Sequence, residues 1–251
     1  MKQLIRPNDS GPSGGAITDS FVFTAASAID PTTMRRVPEA VTVHDEVRVC
    51  LKRVEKTLAE DGLSLKDLTK LTAWVGEEAF RLDFAFAYRD LLAPGPYPSR
   101  ALFAIGLPGD CRVQLDVIAA RHPVNTRTTQ LTAGLAGRET GFSAGVTLGD
   151  LVYADASALD HPGLERVSGT DSIGEETRVC LGRIRVTLEE AGYGLSDIVK
   201  ANCYLTDDSY RQEFWQTFDE MLAPGPYPVR LTQVGGLAGD ARVLIDIVAA
   251  R

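Results

Sequence analysis

The chain is poor in the residues that build metal sites and disulfide frameworks. It has three histidines and four cysteines among 251 residues, and no two cysteines stand in a Cys-x-x-Cys pair. A zinc cluster needs several such ligands at close spacing, so the sequence predicts no metal centre. The four thiols are interpreted as small buried hydrophobes of a cytoplasmic protein.

Positive charge and long apolar runs are also scarce. The chain carries 26 lysines and arginines against 34 aspartates and glutamates, a formal net charge of −8. Proteins that coat nucleic acid use a clustered positive surface, so no nucleic-acid partner is expected. No apolar run approaches the roughly 20 residues that span a bilayer, and the first residues lack the apolar segment of a secretory signal. We therefore expect a cytoplasmic protein without a membrane partner.

The chain does have a globular composition and a long internal repeat. Hydrophobic residues make up 44% and charged residues 24%, which is typical of a soluble folded chain. The heptapeptide Leu-Ala-Pro-Gly-Pro-Tyr-Pro occurs at 92–98 and again at 222–228, an offset of 130. At this offset, residues 47–121 and 177–251 share 32 of 75 positions. A repeat of this length indicates two tandem domains.

The repeat predicts the following division of the chain: 1–121 as the first domain, 122–130 as a linker and 131–251 as the second domain.

Both copies show the same order of secondary-structure signals. Apolar residues at helical spacing predict a helix over 43–60, ended by Gly62, and an equivalent helix ended by Gly192. The other signals predict these elements: strands at 21–24, 68–75, 100–106 and 112–119, a helix at 78–92, a Leu-Pro-Gly-Asp turn between the last two strands, and the equivalents in the second copy. This order predicts an α+β fold in each copy, with one mixed sheet and both helices on one of its faces.

The other face of the sheet is predicted to be semi-apolar. On the last strand of the first copy, Gln114, Asp116 and Ile118 alternate with the apolar residues that suit the helix-covered face. A half-covered sheet with such a surface favours oligomerisation.

Three motifs occur in both copies: Gly-x-x-x-x-Asp-[Leu/Ile]-[Thr/Val]-Lys, Tyr-Pro-x-Arg, and a final strand ending Asp-x-[Ile/Val]-Ala-Ala-Arg. Together they resemble the RidA/YjgF family of imine and enamine deaminases, over nearly the whole chain and twice. The resemblance implies tandem chorismate-mutase-like domains, ligand sites in clefts between neighbouring domains, trimeric barrels and no cofactor. Because three chains supply six domains, enough for two barrels, a homotrimer is expected.

The resemblance assigns the substrate carboxylate to the arginine of Tyr-Pro-x-Arg, which is Arg100 in the first copy and Arg230 in the second. A planar guanidinium binds a carboxylate through two parallel, charge-assisted hydrogen bonds. The alternative is that each arginine forms an ion pair with an acid of its own sheet, such as Asp116 or Asp246.

The chain departs from the family at the residue that orders the attacking water. The family's glutamate on the last strand corresponds to Gln114 and Leu244. Glutamine can hold a water molecule but cannot accept its proton as a carboxylate does, and leucine can do neither. We therefore expect the site with Arg100 and Gln114 to be the better catalyst. Asp116 and Asp246, two residues further on, are an alternative, although a structural role is favoured for them.

Other candidate substrate-binding positions also differ from the family. A glycine of the family's site corresponds to Ala26 and Ala156, and Asp155 stands beside the second of these. A family tyrosine corresponds to Phe142, which supplies an aromatic wall without a hydroxyl group. These residues are expected to line or reshape the pocket.

The resemblance implies hydrolytic deamination of 2-imino or 2-enamino acids to 2-oxo acids and ammonia. The missing glutamates leave two alternatives: a non-hydrolytic module that binds small carboxylates, or an enzyme of a specialised pathway that acts on a ring enamine or lactam. Some relatives have a reported ribonuclease activity, but nothing in this chain supplies a catalytic acid and base for it.

Overall fold

The structure is a computed structural model that describes residues 3–5, 14–124, 128–135, 143–160 and 164–251. The chain divides into two compact units, Met1–Thr128 and Thr129–Arg251. Each unit has its own mixed sheet and its own pair of α-helices, which confirms the predicted α+β fold.

The first unit contains eight strands and two α-helices among the described residues. In chain order they are β1 (Gln3–Ile5), β2 (Gly15–Ile17), β3 (Phe21–Ser27), β4 (Ile29–Asp30), β5 (Arg35–Arg36), α1 (Val43–Ala59), β6 (Leu68–Val75), α2 (Arg81–Leu92), β7 (Ser99–Ala104) and β8 (Val113–Ala120). The main sheet has the order β1-β2-β3-β8-β6-β7, and β4 pairs with β5 in a separate ribbon. Strand β7 runs parallel to β6, whereas β8 runs antiparallel to it.

The second unit repeats this arrangement. Its described elements are β9 (Thr128–Leu131), β10 (Gly145–Leu148), β11 (Leu151–Ser157), α3 (Ile173–Glu190), β12 (Ile198–Leu205), α4 (Arg211–Leu222), β13 (Val229–Val234) and β14 (Val243–Ala250). The sheet has the order β13-β12-β14-β11-β10-β9, with β13 parallel to β12. None of the α-helices among the described residues has an apolar stretch of bilayer-spanning length.

Capping residues and a following glycine define the ends of the first helix of each unit. Thr42 precedes α1 and accepts a hydrogen bond from the Asp45 amide, while the Asp45 side chain accepts one from the Thr42 amide. Ser172 caps α3 in the same way. Beyond the helices, Gly62 and Gly192 have φ angles of 72° and 80°, which glycine adopts without strain.

The hydrophobic core of each unit lies between its helices and one face of its sheet. In the first unit, Val54 of α1, Leu71 of β6 and Val117 of β8 are completely buried there. In the second, Leu181 of α3 and Ile245 of β14 are equally buried. The placement of both helices on one sheet face, as predicted, leaves the opposite face without helices.

Two local features go beyond the sequence prediction. The last two strands of the unit are not neighbours in the sheet, because β6 lies between β7 and β8. The eight residues 105–112 therefore cross the end of β6. A two-residue hairpin turn joins only neighbouring strands and is too short for this connection. In addition, β9 begins at Thr128, so residues 128–130 of the predicted linker form part of a strand.

A buried carboxylate fastens the first helix of each unit to its last strand. Glu46 of α1 is fully buried, and its carboxylate accepts hydrogen bonds from the Arg112 amide at 2.8 Å, the Arg112 Nε at 2.8 Å and the Val113 amide at 3.0 Å. Glu176 of α3 makes the same bonds to Arg242 and the following amide. Because burying a charge is favourable only when its hydrogen bonds are satisfied, this contact fixes how the helix sits on the sheet.

We expect Glu176→Ala to lower the free energy of unfolding of the second unit by about 3–5 kcal/mol, because it leaves the partly buried Arg242 guanidinium without its carboxylate. Urea denaturation at neutral pH measures this change.

Fluorescence in a Trp74→Phe background reports on the second unit alone, since Trp215 is then the remaining tryptophan. Glu189→Ala on the same helix removes an exposed acid and is the matched control, with an expected change within about 0.5 kcal/mol. Equal stability of the two variants would contradict the role given to the buried carboxylate.

Candidate functional site

Arg100 lies at the edge of the first sheet and points towards the helices. On β7 it stands opposite Leu71, which is buried in the core beneath the helices, so both side chains are on the helix-covered face. The Arg100 guanidinium lies over the ring of Tyr88 in α2, with Cζ 4.8 Å from the ring centroid. Its Nε and Nη1 atoms are buried. The arginine is therefore held by a cation–π contact at the junction of sheet edge and helix.

An aromatic cluster supports this position. The Tyr88 ring lies 6.0 Å from that of Phe84 and 6.1 Å from that of Tyr97, measured between centroids. Tyr97 belongs to the repeated heptapeptide and is buried, whereas its counterpart Tyr227 is more than half exposed. The proline-rich turn of the first unit thus packs, through Tyr97, beside the Tyr88 ring that Arg100 contacts.

Arg230 occupies the equivalent place in the second unit but has a different environment. Its guanidinium donates from Nη1 to Oδ1 of Asp219 in α4 at 2.7 Å. Its Cζ lies 5.0 Å from the ring centroid of Phe218 and 5.3 Å from that of Trp215. Trp215 in turn donates from its indole nitrogen to Thr232 at 3.0 Å. One helix, α4, therefore supplies both the aromatic contacts and the carboxylate that Arg230 meets.

The acid that meets Arg230 is not the one considered from sequence. Asp246 of β14 is the cross-strand partner of Asn202, whereas Arg230 stands opposite Ala201, the neighbouring residue of β12. Successive strand residues point to opposite faces, so Asp246 and Arg230 lie on different sides of the sheet. The ion pair comes instead from the helix.

The same alternation separates Gln114 from Arg100. Gln114 of β8 is paired with Trp74 of β6. Trp74 lies three residues after Leu71, which is the residue opposite Arg100. Trp74 and Gln114 are on the face without helices, while Arg100 is on the covered face. Within one unit, therefore, no single small ligand contacts both. Leu244 lies on the equivalent, uncovered face of the second sheet, opposite Tyr204.

The uncovered face of the second sheet carries a pair of carboxylates. Asp155 of β11 is the cross-strand partner of Asp246, and Asp246 is buried and accepts a hydrogen bond from the Asn202 amide group at 3.3 Å. In the first unit the position of Asp155 is held by Ala25, opposite Asp116. This acidic pair is a difference between the copies rather than part of either arginine's surroundings.

Ala26 and Ala156 are not brought to the arginines within a unit. Ala26 and Ala156 lie on the helix-covered faces, opposite Leu115 and Ile245, and pack against the cores. Two strands, β8 and β6, separate β3 from β7, a distance of roughly 14 Å at the usual strand spacing. Phe142 lies outside the described residues. A role for these three residues in ligand binding stays a prediction.

Comparison with known proteins agrees with this architecture. The family described as Endoribonuclease L-PSP matches residues 136–251. A RutC family protein of Saccharolobus solfataricus is 32% identical over 111 residues, which cover 44% of this chain and 86% of that protein. The mitochondrial protein mmf2 of Schizosaccharomyces pombe is 33% identical over 113 residues, covering 43% of this chain and 86% of that protein. The chain belongs to the RidA/YjgF family.

The matched residues 136–251 lie in the second unit, and the first unit shares with it the internal repeat and the order of strands and helices. A crystal structure of a chorismatase, 15% identical, matches 96% of this chain and 78% of its own with a TM-score of 0.68. That likeness concerns the fold alone, which in both units is the chorismate-mutase-like fold of the RidA/YjgF family.

Sequence reasoning missed the helix residues that surround the arginines. Tyr88 of α2 and Phe218, Trp215 and Asp219 of α4 lie 11 to 15 positions before the arginines that they contact. The RidA/YjgF motifs do not include them. The available signal was the repeat itself, because the aligned helices differ in charge at the position of Asp219.

The site offers neither a metal nor a thiol nucleophile among the described residues. Histidine, cysteine and acidic side chains do not gather there in any group of three or more able to hold a metal ion. All four cysteines are free and buried. Burial raises the pKa of Cys111 to about 11 and that of Cys203 to about 12, so both stay protonated at neutral pH.

The native protein is therefore expected to react slowly with Ellman's reagent at pH 8, because buried, protonated thiols are poor nucleophiles. After unfolding in guanidinium chloride, all four thiols should react. A Ser209→Cys variant, with the new thiol at an exposed position, is the positive control in the native state. Reaction of a native cysteine as fast as this control would contradict the assignment.

Proposed function

We propose that this protein binds small carboxylates that carry an imine or enamine at the carbon next to the carboxyl group, and hydrolyses them to 2-oxo acids and ammonia. The observation that carries the proposal is the Arg100 guanidinium, fixed on the Tyr88 ring at the sheet edge of a RidA/YjgF domain. A guanidinium held in one orientation offers charge-assisted hydrogen bonds to a carboxylate.

The proposed hydrolysis requires little catalytic assistance from the protein. Water adds to the C=N carbon, a proton moves to nitrogen, the C–N bond breaks, and ammonia leaves as the C=O bond forms. Imines of this kind hydrolyse in water without a catalyst, so holding the carboxylate while water attacks gives a useful acceleration. Arg100 keeps its positive charge at every accessible pH, and it orients the substrate through the carboxylate without taking part in proton transfer.

A non-hydrolytic carboxylate-binding module is the second candidate, favoured by one specific observation. The position that holds a glutamate in the deaminating relatives is Gln114, which lies on the opposite face of its own sheet from Arg100. In this alternative the same arginine binds the same class of ligand, and turnover does not follow.

We also propose that the protein assembles as a homotrimer. Strand β13 is the terminal strand of its sheet, and its Val229, Leu231 and Val234 side chains are 75%, 52% and 51% exposed. An exposed apolar edge strand favours pairing with another chain. The four buried free thiols are consistent with a cytoplasmic location, and the proposal requires neither a nucleic acid nor a membrane as partner.

The test is an assay in which an amino-acid oxidase generates the 2-imino acid and release of the 2-oxo acid is timed. We expect the wild-type protein to accelerate release and Arg100→Ala to lose at least about tenfold of that acceleration, since charge-assisted hydrogen bonds to the carboxylate are lost. Arg185→Ala, which removes an exposed arginine of α3, is the matched control and should retain the activity.

Calorimetry with a stable 2-oxo acid separates the two candidates. Binding that is lost in Arg100→Ala, without any acceleration by the wild type, would favour the binding module. Neither binding nor acceleration, or an acceleration unchanged in Arg100→Ala, would overturn both candidates.

A further inference from the structure

Helix α2 of the first unit exposes an apolar pair to solvent. Leu82 and Phe86 stand about one turn apart, and their exposed fractions are 54% and 53%. The buried residues of the helix, among them Phe84 and Tyr88, lie on the opposite side and pack into the core. Large apolar side chains that are exposed together on one helix face favour a protein partner.

Charged residues flank this apolar pair, with opposite signs on the two sides. If Phe86 marks the centre of the exposed face, Leu82 and Arg89 lie about 40° and about 60° to one side, at about 100° per residue. Asp83 and Asp90 lie about 60° and about 40° to the other side. All three charged residues are exposed. The exposed face of α2 therefore has a basic edge and an acidic edge.

The equivalent face of helix α4 differs at the same positions. At the repeat offset of 130, the apolar pair is replaced by Gln212 and Gln216, and the basic residue by Asp219. The buried side of the helix is kept, since Phe84 corresponds to Phe214 and both are fully buried. The fold of a unit therefore does not require the apolar pair or the basic edge of α2.

We propose that the exposed face of α2 binds the same face of a second copy of this chain, across a two-fold axis that runs along the helices. Phe86 then packs on Phe86 of the partner subunit, and the basic edge of each helix meets the acidic edge of the other. Arg89 lies beside Asp90 of the partner subunit, and the symmetry repeats this contact. Because each copy supplies both edges, the face is complementary to itself.

Charge selects between the two orientations that a two-fold axis allows. An axis across the helices would make them antiparallel and would bring acidic edge to acidic edge, with Asp90 beside Asp83 of the partner subunit. Like charges in contact at an interface are unfavourable. An axis along the helices makes them parallel and brings opposite charges together instead.

Arg89 is able to make this contact at little cost. In the single chain it lies 3.4 Å from Asp90, and both side chains are about half exposed. Exposed ion pairs of this kind contribute little to stability. The Arg89 guanidinium lies 5.4 Å from the ring centroid of Phe86, so it already stands beside the apolar pair.

The association is expected to be weak and to depend on protein concentration. Helix α2 has twelve residues. A helix of this length spans only roughly 18 Å, and one helix pair buries less than the roughly 1,200 Å² of a stable interface. The homotrimer proposed above uses β13 of the second unit, so the two contacts are compatible. Pairing through α2 doubles the mass of the assembly that forms through β13.

The experiment is analytical ultracentrifugation of the full chain between about 1 μM and about 200 μM, the range in which weak interfaces dissociate. The double variant Leu82→Gln, Phe86→Gln gives α2 the residues that α4 has at these positions. At the highest concentration we expect the wild type to have twice the mass of this variant. Gln216→Ala on α4 is the matched control and should have the wild-type mass.

A second arm tests the charges at low ionic strength. Arg89→Asp makes both edges acidic, and Asp90→Arg places a positive charge opposite Arg89 of the partner subunit. Either substitution alone should weaken the association at least about tenfold, because like charges then meet. An equimolar mixture of the two variants should associate as the wild type does, since opposite charges meet again in the mixed pair.

Three results would overturn the proposal. One is an equal mass for the wild type and the Leu82→Gln, Phe86→Gln variant at every concentration. Another is undiminished association of Arg89→Asp, and the third is a mixture of the charge variants that does not associate. Far-UV circular dichroism confirms that each variant is folded. The hydrolysis proposed for Arg100 is assayed separately and does not depend on this contact.

Discussion

The alternation of side chains along a β-strand governs what each unit of this protein can do. Arg100 stands opposite Leu71 and Gln114 opposite Trp74, three residues further along β6. Because successive residues point to opposite faces, Arg100 lies on the helix-covered face and Gln114 on the uncovered one. The arginines consequently take their contacts from the helices, through Tyr88 in one unit and Asp219 in the other. Asp116 and Asp246, the acids of the last strands, lie on the sheet faces without helices.

The duplicated units keep their supporting contacts and differ in the residues around the arginines. The buried carboxylates Glu46 and Glu176 hold helix to strand through the same three hydrogen bonds. Loss of the glutamate or of its arginine partner would leave an unsatisfied charge in the interior. No such penalty protects Arg89 or Asp219, which lie on exposed helix surface. Gene duplication thus leaves a stable scaffold on which a few surface positions are able to diverge.

The two units therefore have one fold but different surroundings for the arginine, Tyr88 in the first and Asp219 in the second. A guanidinium responds strongly to one neighbouring charge, because charge-assisted hydrogen bonds are about twice as strong as neutral ones. A single aspartate on the adjacent helix is therefore enough to alter the site.

The sequence by itself determined the repeat, the α+β class and the end of the first helix before Gly62, and it singled out Arg100 and Arg230 as candidates. These features depend on short-range patterns: apolar spacing, capping residues and motifs that stay together along the chain. Only the tertiary structure decided that β6 separates β7 from β8, that Arg230 meets Asp219, and that Gln114 lies apart from Arg100. Those relations join residues from different elements, and strand order, register and helix packing are settled by the burial of the whole core rather than by any local pattern.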